Sequence, residues 1–198
     1  MIAMGNTCPI NLISRHPLNK YYEMELEKLQ GHRPMNIELL SSSPEVTFEY
    51  GRTLGGLLQA GDVVALSGDL GAGKTCFVQG VAMGAGVSDR SQITSPTFTL
   101  IQEYQGQLPI YHFDVYRLNR AEDLYELGFE EYFYGEGITL IEWAERIPLF
   151  LPSEYLAISL QIAPNLTRHL RLTAFGGHYG DMLRSFLSEK ENMACADL

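Results

Sequence analysis

The stretch Asp62-Val-Val-Ala-Leu-Ser-Gly-Asp-Leu-Gly-Ala-Gly-Lys-Thr75 reads as a buried strand, a glycine-rich turn and the start of a helix. Val63 to Leu66 is an unbroken apolar run, the pattern of a short strand covered on both faces. Gly68, Gly73, Lys74 and Thr75 satisfy the phosphate-loop spacing G-x-x-x-x-G-K-[ST], with Asp69, Leu70, Gly71 and Ala72 between them. Such a turn must curl backbone N–H groups around a phosphate, and side chains at its tightest points would block the approach. The helix that opens near Lys74 adds its dipole and its unpaired N–H groups. Lys74 can reach the terminal phosphates, and the Thr75 hydroxyl can bind Mg²⁺. A chance glycine turn would lack this context. Here an apolar strand precedes the turn, and Cys76, Phe77, Val78, Val81 and Ala82 can line one side of the helix that follows.

Upstream, Met35-Asn-Ile-Glu-Leu-Leu40 reads as a first strand. Ser41-Ser-Ser-Pro-Glu45 is a helix start, with capping hydroxyls, an early proline and an acid in the first turn. Phe48, Leu54, Leu57 and Leu58 predict that this helix runs to about Gln59, before Ala60-Gly61 turns into the phosphate-loop strand. Residues 1–36 differ in charge balance, with four basic and three acidic residues, so the acidic excess lies in the rest of the chain. We expect this leader to be disordered, apart from one short helix over Tyr21 to Gln30, and Met35 to be an alternative start.

Downstream, the helix after Lys74 is predicted to reach about Met83, where Gly84-Ala-Gly86 stops it. Ser91 to Tyr104 is a hydroxyl-rich loop leading into a strand. Ser95 and Thr97 have two readings: they organise the turn around Pro96, or Thr97 belongs to a switch loop that senses the γ-phosphate and its metal. After a hairpin-like turn at Gln105 to Pro109, Ile110-Tyr-His-Phe-Asp-Val-Tyr-Arg-Leu118 reads as a strand with His112, Asp114 and Tyr116 on one face. Asp114 can hold Mg²⁺ or orient an attacking water, or be a structural acid satisfied by backbone or by Arg117. His112 reads most simply as structural. Ala121 to Gly128 and Phe129 to Tyr134 read as two short helical segments. Gly137 to Glu145 contains an apolar strand ending in Glu142, the usual second half of a phosphate-loop metal site. Trp143, the single tryptophan, is a core or rim aromatic, or an active-site wall or partner contact. Tyr155 to Ile162 and Arg168 to Ala174 alternate as two strands of a hairpin, and Asp181 to Lys190 suggests a last helix before a frayed tail. The pattern is that of an α/β, three-layer P-loop NTPase domain over residues 37–180, with a mixed parallel/antiparallel central sheet.

Composition narrows the function. Of 198 residues, 45% are hydrophobic and 19% charged, ordinary for one globular domain. A net charge of −10 argues against holding nucleic acid alone, because that affinity comes mainly from cations meeting phosphates. Cys8, Cys76 and Cys195 form no C-x-x-C pair, so neither a zinc site nor a disulfide framework is indicated, and a cytoplasmic location fits. No apolar run approaches the ~20 residues of a membrane helix.

Gly68-Asp-Leu-Gly-Ala-Gly-Lys-Thr75, Ser95-Pro-Thr-Phe98, Tyr111-His-Phe-Asp-Val-Tyr-Arg-Leu118 and Ile141-Glu-Trp143 occur in that order. Together, across roughly residues 37–175, they resemble the bacterial tRNA threonylcarbamoyladenosine biosynthesis ATPase family, TsaE (also called YjeE). The phosphate loop is shared by many activities; the other three motifs are far more specific. The resemblance implies an ATPase using ATP and Mg²⁺, slow alone, that serves a TsaB–TsaD type transferase complex and meets tRNA only indirectly. It implies that Lys74 meets the phosphates, Thr75 and Glu142 serve the metal, and Asp114 is needed for hydrolysis. Thr97 would belong to the switch-like loop, and Trp143 would sense nucleotide or partner. The family often has Gly-Arg before its last strand; here Thr167-Arg168 stands there, and Arg168 would contact nucleotide. The adenine would lie near the Ser43 to Thr47 helix start.

Two rival readings come from the residues. Arg117 and Arg120 could clamp a second phosphate in a small-molecule or nucleotide kinase, but no long arginine-rich lid segment is visible. A GTP-driven switch would carry an N-K-x-D-type guanine reader after the phosphate loop, whereas the one Asn-Lys pair, Asn19-Lys20, precedes it.

Overall fold

The structure, a computed structural model, describes residues 34–196. The expected leader helix lies outside them. Strand β1 (Asn36–Ser41) leads into helix α1 (Pro44–Gly55). Ser43 caps α1 by accepting from the Val46 N–H at 3.3 Å, and Pro44 opens the first turn, where a missing N–H costs nothing. The helix stops at Gly55 rather than Gln59, because Gly55 and Gly56 give way to a turn in which the Leu57 N–H bonds Leu54 O at 2.9 Å. Then come β2 (Val63–Ser67) and α2 (Lys74–Gly84), and the hairpin β3 (Ile101–Gln105) and β4 (Pro109–Asp114).

A 3₁₀ segment at Ala121–Leu127 and the short helix α3 (Phe129–Phe133) precede β5 (Ile138–Glu142). Finally β6 (Tyr155–Ile162) and β7 (Arg168–Phe175) pair as a hairpin before α4 (Gly177–Ala196). That last helix begins four residues before the expected Asp181 and continues past Lys190. Tyr179, Met182, Leu183 and Phe186 are buried along it, so packing extends what local sequence bounded more narrowly.

The seven strands lie in the order β1-β7-β6-β2-β5-β4-β3. The four central strands run parallel, β6 with β2, β2 with β5 and β5 with β4, and the flanking pairs are antiparallel. Alternate residues of the central strands enter two cores. Val64, Leu66, Ile110 and Leu140 join Leu54, Phe77, Val81 and Phe186 from α1, α2 and α4. On the other face Phe113 meets Tyr132 and Phe133 edge-on, with ring centroids 5.4 and 5.5 Å apart. The sheet is therefore the middle of three layers. Helices α1 and α2 pack backbone to backbone, since a Cβ on Gly55 would lie 2.1 Å from Val81 O. This holds the phosphate-loop helix rigidly against its neighbour. Among the described residues no helix is long and apolar enough to cross a membrane.

One expected strand is shorter than its sequence suggested. β4 leaves the sheet at Asp114 and does not reach Leu118. The Asp114 side chain accepts from the Tyr116 N–H at 3.0 Å, which turns the chain just past the strand end. Tyr116 therefore does not share a strand face with His112 and Asp114.

Candidate active site

Three chain segments converge at the C-terminal ends of the parallel strands. The first is the loop from β2 to α2. Gly68 has φ +136° and a Cβ there would meet Leu160 O at 2.3 Å, so this position needs glycine for both backbone and space. Gly73 has φ +108° and precedes α2 without any side-chain cap, which leaves the first-turn amides free for an anion. Lys74, 4% exposed, folds back so that Nζ donates to Gly68 O at 2.5 Å and Asp69 O at 3.0 Å. Its ammonium also lies 3.5 Å from the centre of the Trp143 ring. Burial pushes the Lys74 pKa down, and the carboxylates of Glu142, Glu145, Asp114 and Asp69 draw it back up. Leu70 projects from the loop, 80% exposed, while Ala72 is buried and its N–H bonds Asp69 O at 3.1 Å.

The second segment is the pair of strand ends. Asp114 and Glu142 stand side by side in the β4–β5 register, yet they face different partners. Glu142 Oε2 accepts from the Thr75 hydroxyl at 3.1 Å, and its Oε1 lies 3.0 Å from Nε2 of the fully buried His112. Asp114 Oδ2 accepts from Ser95 and, at 3.0 Å, from Thr97, and the two hydroxyls are 2.8 Å from each other. The Ser95-Pro-Thr97 turn is thus tied to the acid through both hydroxyls.

The third segment follows β5. Trp143 takes a left-handed conformation, φ +63°, and the 3₁₀ turn Ala144–Arg146 wraps back toward the phosphate loop. The Trp143 ring sits 4.7 Å from that of Tyr116. Burial raises the Glu145 pKa, while Lys74 and the Gly68 amide pull it the other way. Glu145 Oε2 has no hydrogen-bond partner among the described residues.

Arg168 is placed elsewhere. It starts β7 opposite Ser41 of β1 and Ile162 of β6, and its guanidinium donates to Leu166 O at 2.8 Å. Ser41 bonds Thr47 at 2.7 Å, so Arg168 belongs with the start of α1 rather than with the Lys74–Glu142 cluster. That helix start borders the loop, since a Cβ on Gly73 would lie 3.8 Å from Thr47 Cγ2. Sequence reading gave no role to Glu145, gave Ser95 only the organising of the turn around Pro96, and left His112 structural. For Ser95 the available sign was its place two residues before Thr97; for Glu145, one helical turn after Glu142.

Comparison with known proteins shows the family. The family described as "Threonylcarbamoyl adenosine biosynthesis protein TsaE" matches residues 41–170. A tRNA threonylcarbamoyladenosine biosynthesis protein TsaE of Treponema pallidum is 46% identical over 131 residues, covering 66% of this chain and 96% of the relative. The protein of that name from Bacillus subtilis is 42% identical over 153 residues, 77% of this chain and 94% of its own. The crystal structure of Bacillus subtilis YdiB superposes with a TM-score of 0.69 at 37% identity, covering 81% of this chain and 99% of that one.

Proposed function

Because this chain belongs to the TsaE family, we propose that it is a Mg²⁺-dependent ATPase that serves tRNA threonylcarbamoyladenosine biosynthesis, acting with a TsaB–TsaD type transferase complex rather than on tRNA directly. The observation that carries the reading is the cluster at the uncapped start of α2: Lys74, then Thr75 with its hydroxyl 3.1 Å from Glu142, with Asp114 on the next strand. The donor set suits Mg²⁺, which takes oxygen ligands, keeps several waters and relies on substrate phosphates rather than a protein cage.

Each residue then has a task. Thr75 and Glu142 would hold Mg²⁺, which would supply charge neutralisation at the phosphates. Lys74 exchanges Gly68 O and Asp69 O for phosphate oxygens as the site fills. The amides of the loop and the first turn of α2 donate to the phosphates from fixed positions, without reorganisation at the moment of reaction. Thr75 and Glu142 offer oxygen on the metal side. Asp114, freed from Ser95 and Thr97, accepts a hydrogen bond from the attacking water and aims it in line. The net charge of −10 supports leaving tRNA to a partner.

Reconstituting the modification with purified partner proteins, tRNA and either ATP or GTP tests the reading. Multiple rounds should need this protein and ATP. Equal yield without the protein would refute it; GTP working better than ATP would favour a guanine-nucleotide switch, and a phosphorylated small product a kinase.

A further inference from the structure

Glu142 reaches the metal side through only one of its two oxygens, and the other is held by a residue with no surface of its own. His112 is 0% exposed, in the middle of β4, two residues before Asp114. A histidine with no solvent contact in a parallel strand is costly to bury, and two of its neighbours on that face, Ile110 and Leu140, are apolar. The ring has one polar partner: Nε2 meets Glu142 Oε1 at 3.0 Å, and Nδ1 has none among the described residues. A purely packing role would be met as well by Phe or Leu, without an unpartnered buried nitrogen.

We propose that His112 is the positioning residue for Glu142: its Nε2–H holds Oε1, so that Oε2 alone is presented beside Thr75 to Mg²⁺. The inference rests on the reading of Glu142 as the metal-side acid. An ionised carboxylate only accepts, so the proton of the pair lies on Nε2, and Nδ1 is left as a bare acceptor. That is the less costly nitrogen to leave without a partner, since it strands a lone pair rather than an N–H. Carboxylates are otherwise free to turn about their last torsion. With Oε1 tethered, the carboxylate cannot rotate to chelate through both oxygens, nor swing away from Thr75. Tyr104 flanks the imidazole, ring centroids 6.2 Å apart, and completes the socket that fixes the ring plane. Asp114 has no side-chain holder in the strand: its Oδ1 accepts from the Tyr116 N–H just past the strand end, and its Oδ2 is held by Ser95 and Thr97, which sit on a loop. Each acid is thus anchored through one oxygen, and they differ at the other: Oε2 of Glu142 faces Thr75 on the metal side, while Oδ2 of Asp114 is held by loop hydroxyls that can release it to water.

The test is ATP affinity measured by titration with Mg²⁺ and with chelator, in four forms of the protein. In the unmutated protein Mg²⁺ should tighten ATP; indifference to Mg²⁺ would remove the metal reading of Glu142 and this inference with it. In His112→Phe, which keeps the shape but loses the donor, the tightening by Mg²⁺ should shrink by about 10- to 100-fold with chelator-measured affinity unchanged. His112→Gln, whose amide can reach Oε1, should recover most of it, and the shorter His112→Asn should not. Hydrolysis by the Phe form should be restored by raising Mg²⁺, a shift in the metal's KM rather than in kcat. Full Mg²⁺ response in His112→Phe, or equal values for Gln and Asn, would overturn the proposal. Should the Phe form fail to fold, the Gln and Asn forms decide alone.

Discussion

The parallel centre of the sheet and its antiparallel flank, β1 with β7, follow different rules. Every residue of β5 is buried, as are the first four of β2, and acidic side chains appear there only where the strands end. Thr75, Asp114, Glu142 and Trp143 gather at those ends. In the flank, burial alternates along β7 and β1 with a polar outward face, including the Glu38–Arg171 pair at 2.8 Å. The centre concentrates its few polar groups because it has no wet face on which to scatter them. Charge in the centre is therefore functional or ruinous, and charge on the flank is mostly surface.

The largest effects should come from breaking the centre. Lys74→Ala removes a cation held against two carbonyls and the Trp143 face, and phosphate release from ATP should fall by at least about a hundredfold. Asp114→Asn should stop turnover to a similar degree while ATP affinity stays within about twofold, because its interaction counts mainly in the transition state. Binding by titration and single-turnover hydrolysis separate the two. If Asp114→Asn binds and hydrolyses normally, Asp114 is only the turn-forming acid that caps Tyr116.

The same contrast explains what was legible in the sequence. Val63–Leu66 announced a buried strand by an unbroken apolar run, Ile138–Glu142 by a largely apolar one, and Gly68 to Thr75 announced the loop, because local spacing carries those features. Contacts across strands were not legible. His112 and Glu142 are 30 residues apart, and their meeting depends on the parallel β4–β5 register, which no local pattern encodes. Element ends slipped for a related reason. β4 stops at Asp114 because a side chain captures a backbone N–H, and α4 starts at Gly177 because Tyr179 packs into the core and accepts from the Val63 N–H at 2.8 Å. The role of Arg168 came from family resemblance, and its place beside the α1 start comes from the β1–β7 register, which no local pattern encodes.

A second break tests the layer that braces the centre. Gly55→Ala sets a methyl group 2.1 Å from the backbone carbonyl of Val81, which cannot rotate aside. The helices α1 and α2 must part, at a cost of about 1–3 kcal/mol in denaturant unfolding. ATP affinity should fall with it, since α2 carries Lys74 and Thr75. A stability unchanged by the substitution would show that the α1–α2 contact yields easily.

Glu145→Gln sharpens the comparison at the border of the centre. The folded-state pKa of Glu145 is raised by burial, so this group favours the folded protein most while protonated and loses that contribution as pH rises through the folded value. The Gln form has no such loss. The two proteins should unfold at similar denaturant concentrations near about pH 4 and diverge by pH 7, with Gln the more stable. A gap that is constant with pH would mean that the carboxylate is not held in the buried position beside Lys74.

The smallest effect is expected on the flank. Arg171 donates twice to Glu38 Oε1, at 2.8 and 3.2 Å, across the β1–β7 register, and both side chains are more than half exposed. Water and salt screen such a pair, and ordering two long side chains offsets much of its attraction. Arg171→Ala should therefore change unfolding stability by less than about 0.5 kcal/mol and leave ATP affinity and hydrolysis unaltered. The quantity that decides is nucleotide affinity. Arg171 lies on β7, two strands from β2, and β6 stands between them with Leu160 O against Gly68. If removing this surface charge weakened ATP, the flank would be transmitting to the phosphate loop through Leu160, and the separation between a scaffold edge and a chemical centre would fail at that strand.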